Sequence, residues 1–177
     1  MDYLQLRKKV IEKEFSGMND RQFEAVTTVR GPLLVLAGAG SGKTTVLVNR
    51  IANLVKYGNA ADSDFIPFFT EDDIIAAEDY LADKRNDLPR GVFSLDAPRP
   101  WEILAITFTN KAAEELKERL ERMLGAEAND IWACTFHSAC VRILRRDAER
   151  LGFSSSFTIY DTSDTQSLIK HILKDMN

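Results

Sequence analysis

A chain of 177 residues, 45% hydrophobic and 28% charged, can bury a substantial core and suits one domain, or one domain carrying an insertion. Its formal net charge of −4 excludes the strong overall basic bias of a general nucleic-acid binder. No stretch has the uninterrupted apolar run of a signal peptide or membrane span, so a soluble cytoplasmic protein is expected.

The average hides an asymmetry, because residues 58–97 carry ten acidic and three basic side chains and the remainder is mildly basic. In chain order, residues 3–15 place Leu4, Leu6, Val10, Ile11 and Phe15 among charges, the pattern of a short amphipathic helix. After Gly17, Asn19 and Gln22 have the spacing of a capping box, in which two side chains satisfy each other's orphan backbone donors. The Gln22 amide also offers a donor and an acceptor that match the edge of an adenine, and both readings stand at this point.

Residues 33–36, LLVL, read as a buried parallel strand running into the turn AGAGSGKT and then a helix. This is a phosphate-binding loop. Gly38, Gly40 and Gly42 lack a Cβ, so the backbone is free to adopt positive φ and to converge its N–H groups on phosphate oxygens at a helix N-terminus. Lys43 is expected to reach the β- and γ-phosphates of a nucleotide and the Thr44 hydroxyl to ligate magnesium. The strict pattern asks for glycine where this chain has Ala37, a small residue that the turn accepts. Val46, Leu47, Ile51, Leu54 and Val55 then recur at helical spacing as far as Gly58.

Residues 58–97 interrupt this rhythm with Pro67, Pro89, the run FIPFF and a helix-like patch over 71–84, and read as an acidic insertion between the flanking parts 1–57 and 98–177. Pro67 argues against a central strand at FIPFF, since it lacks a ladder donor. Beyond Pro100, residues 103–108 read as a strand, Thr109 as an N-cap, and Ala112, Ala113, Leu116, Leu120 and Met123 as the buried stripe of a helix stopped by Gly125. Residues 131–135 and 157–160 read as two more strands, with helices over 138–151 and 164–174. Four strand–helix alternations call for a parallel sheet covered by helices on both faces, an α/β fold that binds ligands at the carboxyl ends of its strands.

Two of those strand ends carry an aromatic with polar neighbours. Phe108 and Phe136 serve either as core residues or as stacking platforms for an unpaired base, with Asn110 and His137 as hydrogen-bonding neighbours. Cys134 and Cys140 flank His137, but a closed zinc site needs four ligands, and two reduced thiols in a cytosolic core are the expected state.

Taken together, NDRQ, LAGAGSGKT, ILAITFTNKAAEELKERL, TFHSACVRILRR and FTIYDTSD closely resemble the N-terminal part of the superfamily 1 DNA helicases of the UvrD/PcrA/Rep type. The resemblance implies a RecA-like P-loop domain in which Gln22 reads adenine, and Ala37, Gly38, Ala39, Gly40, Ser41, Gly42, Lys43, Thr44 and Thr45 surround ATP with magnesium at Thr44. It likewise implies single-stranded DNA contacts at Phe108, Thr109, Asn110 and His137, with duplex junctions as substrates. Many such chains have arginine where this one has Thr45, so base contacts are expected to be weaker or to come from elsewhere. The acidic magnesium-holding motif and the second motor domain are expected beyond residue 177, so the fragment alone is not expected to hydrolyse ATP appreciably. Asp161 ends an apolar run but is not expected to be that acid. The insertion is expected to lie away from ATP and to meet a protein partner. Alternatives are an AddA-type helicase-nuclease subunit, a small P-loop enzyme such as a nucleotide kinase, and a non-catalytic nucleotide-binding module.

Overall fold

The computed structural model describes residues 2–89 and 91–176 as an α/β chain in two compact units, the first ending at Thr135 and the second beginning at Phe136. Local capping chemistry starts most of the helices. Asp2 accepts from the Gln5 N–H to open α1 (Tyr3–Glu14), and the Asn19–Gln22 capping box opens α2 (Asp20–Thr27), as its spacing predicts. The helix α3 (Lys43–Lys56) follows the glycine-rich loop. A Thr70–Asp73 capping box opens α4 (Glu71–Leu81), three residues shorter than the expected patch. Thr109 caps α5 (Asn110–Leu124) by accepting from the Ala112 N–H, and Gly125 ends it at φ +61°.

The strands β1 (Leu104–Thr107) and β2 (Trp132–Thr135) pair in parallel with Ala105 opposite Ala133, the only sheet among the described residues. One face of this ladder is covered, where Ala105 and Ala133 pack with Val48, Ile51 and Ala52 of α3 and Leu116 and Leu120 of α5. On the other face Leu104 and Ile106 remain 48% and 46% exposed, so the expected covering of both faces is not seen in this unit. A second core joins α1, α2 and the 58–97 segment around Leu6, Val10, Phe15, Val26 and Ala77, with Val46 of α3 and Tyr57, which caps that helix, reaching into it. Burying a leucine or valine stabilises by about 1.5–3 kcal/mol, and α3 contributes such side chains to both cores.

Two expected strands do not form. Residues 33–36 have no regular secondary structure and join no ladder, and Leu34 and Leu36 are 80% and 85% exposed. A strand buried on both faces needs neighbours on both sides, and no described segment pairs with this one. Residues 157–160 fail for the same reason, with Ile159 and Tyr160 more than half exposed.

The 58–97 segment leaves and returns at one point. Asn59 N–H donates to the Leu95 carbonyl at 2.7 Å and Leu95 N–H to the Tyr57 carbonyl at 3.1 Å. Gly58 sits there at φ +58°, where a Cβ would collide with the Leu95 carbonyl and with the Ala97 backbone. Gly58→Ala is expected to cost about 1–2 kcal/mol, through positive φ and collision together, read as a lower urea midpoint with unchanged slope.

The segment wraps α1 rather than standing apart from it. The Tyr3 ring stacks on Phe69 and Phe93 at 4.9 and 5.4 Å, and the buried Arg7 guanidinium donates to the carbonyls of Phe65 and Ser63. Glu14 accepts from Lys56 at 2.6 Å, from the Tyr80 hydroxyl at 3.0 Å and from the Tyr57 hydroxyl at 3.5 Å. Burial, and then the Glu14 charge, push the Tyr80 hydroxyl up to about 12 and Tyr57 higher still. The folded state therefore favours the protonated phenols; their stabilising contribution is complete below the ordinary tyrosine value of about 10 and falls as pH rises from there through 12. Alkaline titration followed by tyrosinate absorbance and circular dichroism is expected to show unfolding within that interval, and Tyr80→Phe to move its onset upward.

In the second unit, α6 (Phe136–Asp147) begins at Phe136, two residues before the expected start, and a short 3-10 turn continues it to Leu151. An Asp161–Asp164 capping box opens α7 (Thr162–Asp175). No described helix is long and apolar enough to cross a membrane.

Candidate nucleotide-binding site

The loop before α3 has the geometry that its glycines predict at two of three positions. Gly40 and Gly42 lie at φ +76° and +84°, whereas Gly38 stays outside the left-handed region. Gly42 is the N-cap of α3 and supplies no side chain, so the first N–H groups of a fourteen-residue helix face outward without a side-chain acceptor. No acidic residue lies in that first turn, which leaves the positive end of the helix dipole available to an anion.

The loop's carbonyls face inward onto its own donors. Lys43 Nζ donates to the carbonyls of Gly38 at 2.6 Å and Ala37 at 3.1 Å, and Ser41 Oγ donates to Gly38 at 2.7 Å. Ala39, Thr44 and Thr45 are exposed, and the Thr44 hydroxyl makes no hydrogen bond among the described residues.

Gln22 meets this loop directly. Its Oε1 accepts from the Asn19 N–H at 3.3 Å, closing the capping box, and its Nε2 donates to the Ser41 carbonyl at 3.1 Å. A Cβ on Gly42 would lie 2.9 Å from that same Nε2, a contact the flexible Gln22 side chain would relieve only by shifting its amide, so it is the φ of +84° that favours glycine there. The two readings of Gln22 are thus not exclusive in position: the capping residue stands beside the loop, with its amide occupied by backbone groups.

Phe108 is fully exposed at 105%, which excludes the core reading, and Asn110 beside it opens α5 on the surface. The Thr109 hydroxyl oxygen is engaged as N-cap and its carbonyl accepts from Thr107 Oγ1. In the second unit His137 is exposed and meets the Phe136 ring edge-on at 6.2 Å, with Phe136 itself 60% exposed. Asp161 is the N-cap of α7, and the hydrogen bond from the Asp164 N–H, first among its causes, holds its carboxyl below the usual carboxylate value. Cys134 and Cys140 are free thiols, and no three His, Cys, Asp or Glu side chains converge among the described residues.

Two residues that sequence reasoning passed over tie this site together. Arg50 donates to the carbonyls of Ala25 and Thr28, and the fully buried Asn53 donates to Val26 at 3.2 Å. Both are polar residues interrupting the apolar stripe of α3, which was the available signal.

The model of the UvrD/REP helicase N-terminal domain matches residues 18–76 and 93–177. The chain is 49% identical over 162 residues to the ATP-dependent DNA helicase PcrA of Bacillus subtilis, covering 92% of this chain and 17% of that protein. It is 46% identical over 161 residues to the PcrA of Staphylococcus epidermidis and 45% identical over 160 residues to that of Staphylococcus aureus, covering 91% and 90% of this chain. The chain spans 17% of the length of each of these relatives. With its phosphate loop, its glutamine and the exposed aromatic turn all falling within the matched residues, the chain belongs to the UvrD/REP helicase N-terminal domain family.

Proposed function

We propose that this chain is the N-terminal, RecA-like ATP-binding part of a 3′-to-5′ DNA helicase and translocase acting in DNA repair or replication. The observation that carries the proposal is the uncapped, acid-free N-terminus of α3 behind a loop with two left-handed glycines, with Lys43 and Gln22 on either side. Those groups fit a magnesium nucleotide. The amides from Gly38 to Thr44 and the Lys43 ammonium would hold the phosphates, the Thr44 hydroxyl the magnesium, and the Gln22 amide the adenine edge. To do so, Lys43 exchanges its carbonyl partners for phosphate oxygens and Gln22 exchanges the Ser41 carbonyl for the base. Bound ATP with magnesium would supply the free energy of phosphoryl transfer.

Phe108, Thr109, Asn110 and His137 are proposed to contact single-stranded DNA next to duplex junctions. An aromatic that is fully exposed has no packing role, and base stacking gives it one. The names of the relatives favour this reading over an AddA-type subunit, a nucleotide kinase or a non-catalytic module. The test is ATP hydrolysis by the full-length protein with and without single-stranded DNA, together with unwinding of a duplex bearing a 3′ tail. Hydrolysis indifferent to DNA would contradict it.

The domain is read as residues 1–57 and 98–177, with 58–97 as an insertion in a soluble, cytoplasmic protein. The meeting of the segment's ends at Gly58 and Leu95 supports that division. Its hydrogen bonds run to α1 and Tyr57, which supports a position away from the nucleotide. Exposed Phe65, Ile66, Phe68 and Ile75, beside exposed Asp64, Glu71 and Asp72, are the groups a protein partner would meet.

A further inference from the structure

Helix α2 has eight residues and is about 12 Å long, too short to hold its own conformation or position. What it is fastened to decides where Gln22 stands. One fastening is the bond from Gln22 Nε2 to the carbonyl of Ser41, in the loop just before α3. The other lies at the opposite end, where Arg50 donates to Ala25 at 2.6 Å and to Thr28, with Asn53 donating to Val26. The accepting carbonyls belong to the last turn of α2, whose oxygens have no partner within the helix, and a guanidinium there also meets the negative end of the helix dipole.

One fastening would let α2 pivot about it; two, separated by the length of the helix, set its tilt and its distance from the loop. Ala25 and Val26 are buried against Val46 of α3, so the helix faces agree with the fastenings. The end held by Gln22 must open if its amide is to serve a base. During that exchange the Arg50 end is what keeps α2 in register with the loop.

We propose that Arg50 is a positioning residue for the nucleotide base, acting through Gln22: it sets the preference for adenine and leaves the grip on phosphates untouched. The inference rests on the nucleotide-binding reading above. Among the described residues Arg50 makes no hydrogen bond to the loop itself, and its bonded partners are Ala25, in the last turn of α2, and Thr28, which caps it.

The test uses the full-length protein with magnesium, measuring displacement of a fluorescent ATP analogue by ATP, GTP and inorganic tripolyphosphate. In Arg50→Met the preference for ATP over GTP is expected to fall about tenfold, the scale of one or two lost hydrogen bonds, with tripolyphosphate affinity held within about twofold. Arg50→Lys, which keeps a charged donor, is expected to restore most of the preference. Gln22→Ala should lose the same preference, and the Gln22→Ala/Arg50→Met pair no more than either alone. An unchanged preference in Arg50→Met, a parallel loss of tripolyphosphate binding, or fully additive losses in the pair would each overturn the role. Should Arg50→Met fail to fold, Arg50→Gln, neutral and with a shorter donor that cannot span both carbonyls, is expected to lose part of the preference at unchanged tripolyphosphate affinity, and an unchanged preference there would overturn the role. Wild-type protein that binds no nucleotide, or Lys43→Ala with undiminished binding, would overturn the nucleotide reading itself.

Discussion

Lys43→Ala is expected to reduce DNA-stimulated ATP turnover by the full-length protein about a thousandfold, the scale of removing one preorganised charge from a phosphoryl-transfer site. The Lys43 ammonium already lies against the loop, 2.6 Å from the Gly38 carbonyl, so it reaches the phosphate position by exchanging partners rather than by refolding. Its side chain is exposed and buries nothing, so thermal stability should change by less than about 0.5 kcal/mol while turnover collapses. Steady-state phosphate release beside a thermal melt separates the two quantities, and unchanged turnover would remove Lys43 from the site.

Phe108→Ala is the second large effect. Stacking of a base on an aromatic contributes about 1–3 kcal/mol, so affinity for single-stranded DNA should fall roughly ten- to a hundredfold. A ring that is 105% exposed has no neighbours to lose, and the melting temperature should stay where it is. Phe108→Trp is expected to keep the affinity. Fluorescence anisotropy with a labelled single strand reads the difference, and equal affinity for wild type and the alanine variant would leave the exposed ring without a DNA role.

The helices were legible because their signals are local. Asn19 with Gln22 and Thr109 each satisfy a backbone donor three residues away and were read as caps; the Thr70–Asp73 and Asp161–Asp164 boxes are equally local but were not read from the sequence. The spacing of Ala113, Leu116 and Leu120 similarly named most of the buried face of α5, although Ala112 is exposed and Leu124 takes the last buried place. The strands were less legible. Residues 33–36 and 157–160 have the composition of buried strands, but a strand exists only through hydrogen bonds to a neighbour, and neither has one here.

Site residues divide along the same line. Gly40, Gly42 and Lys43 followed from a contiguous motif, since a tight loop before a helix constrains its own backbone. Gln22 was ambiguous from its spacing alone, because a capping amide and a base-reading amide have the same chemistry. Arg50 interrupts the apolar stripe of α3, but what it binds was hidden, because its partners lie 22 and 25 residues away.

By itself, then, the sequence determined the glycine-rich motif before α3, the places of the helices with the Asn19–Gln22 and Thr109 caps, and the resemblance of five ordered blocks to one helicase family. Only the tertiary structure decided that Gln22 reaches Ser41, that Arg50 grips the far end of α2, and that the acidic 58–97 segment wraps the first helix. The reason is range: motifs and caps act over three or four residues, whereas these bonds join residues 19 to 66 positions apart, whose meeting depends on packing that no local pattern encodes.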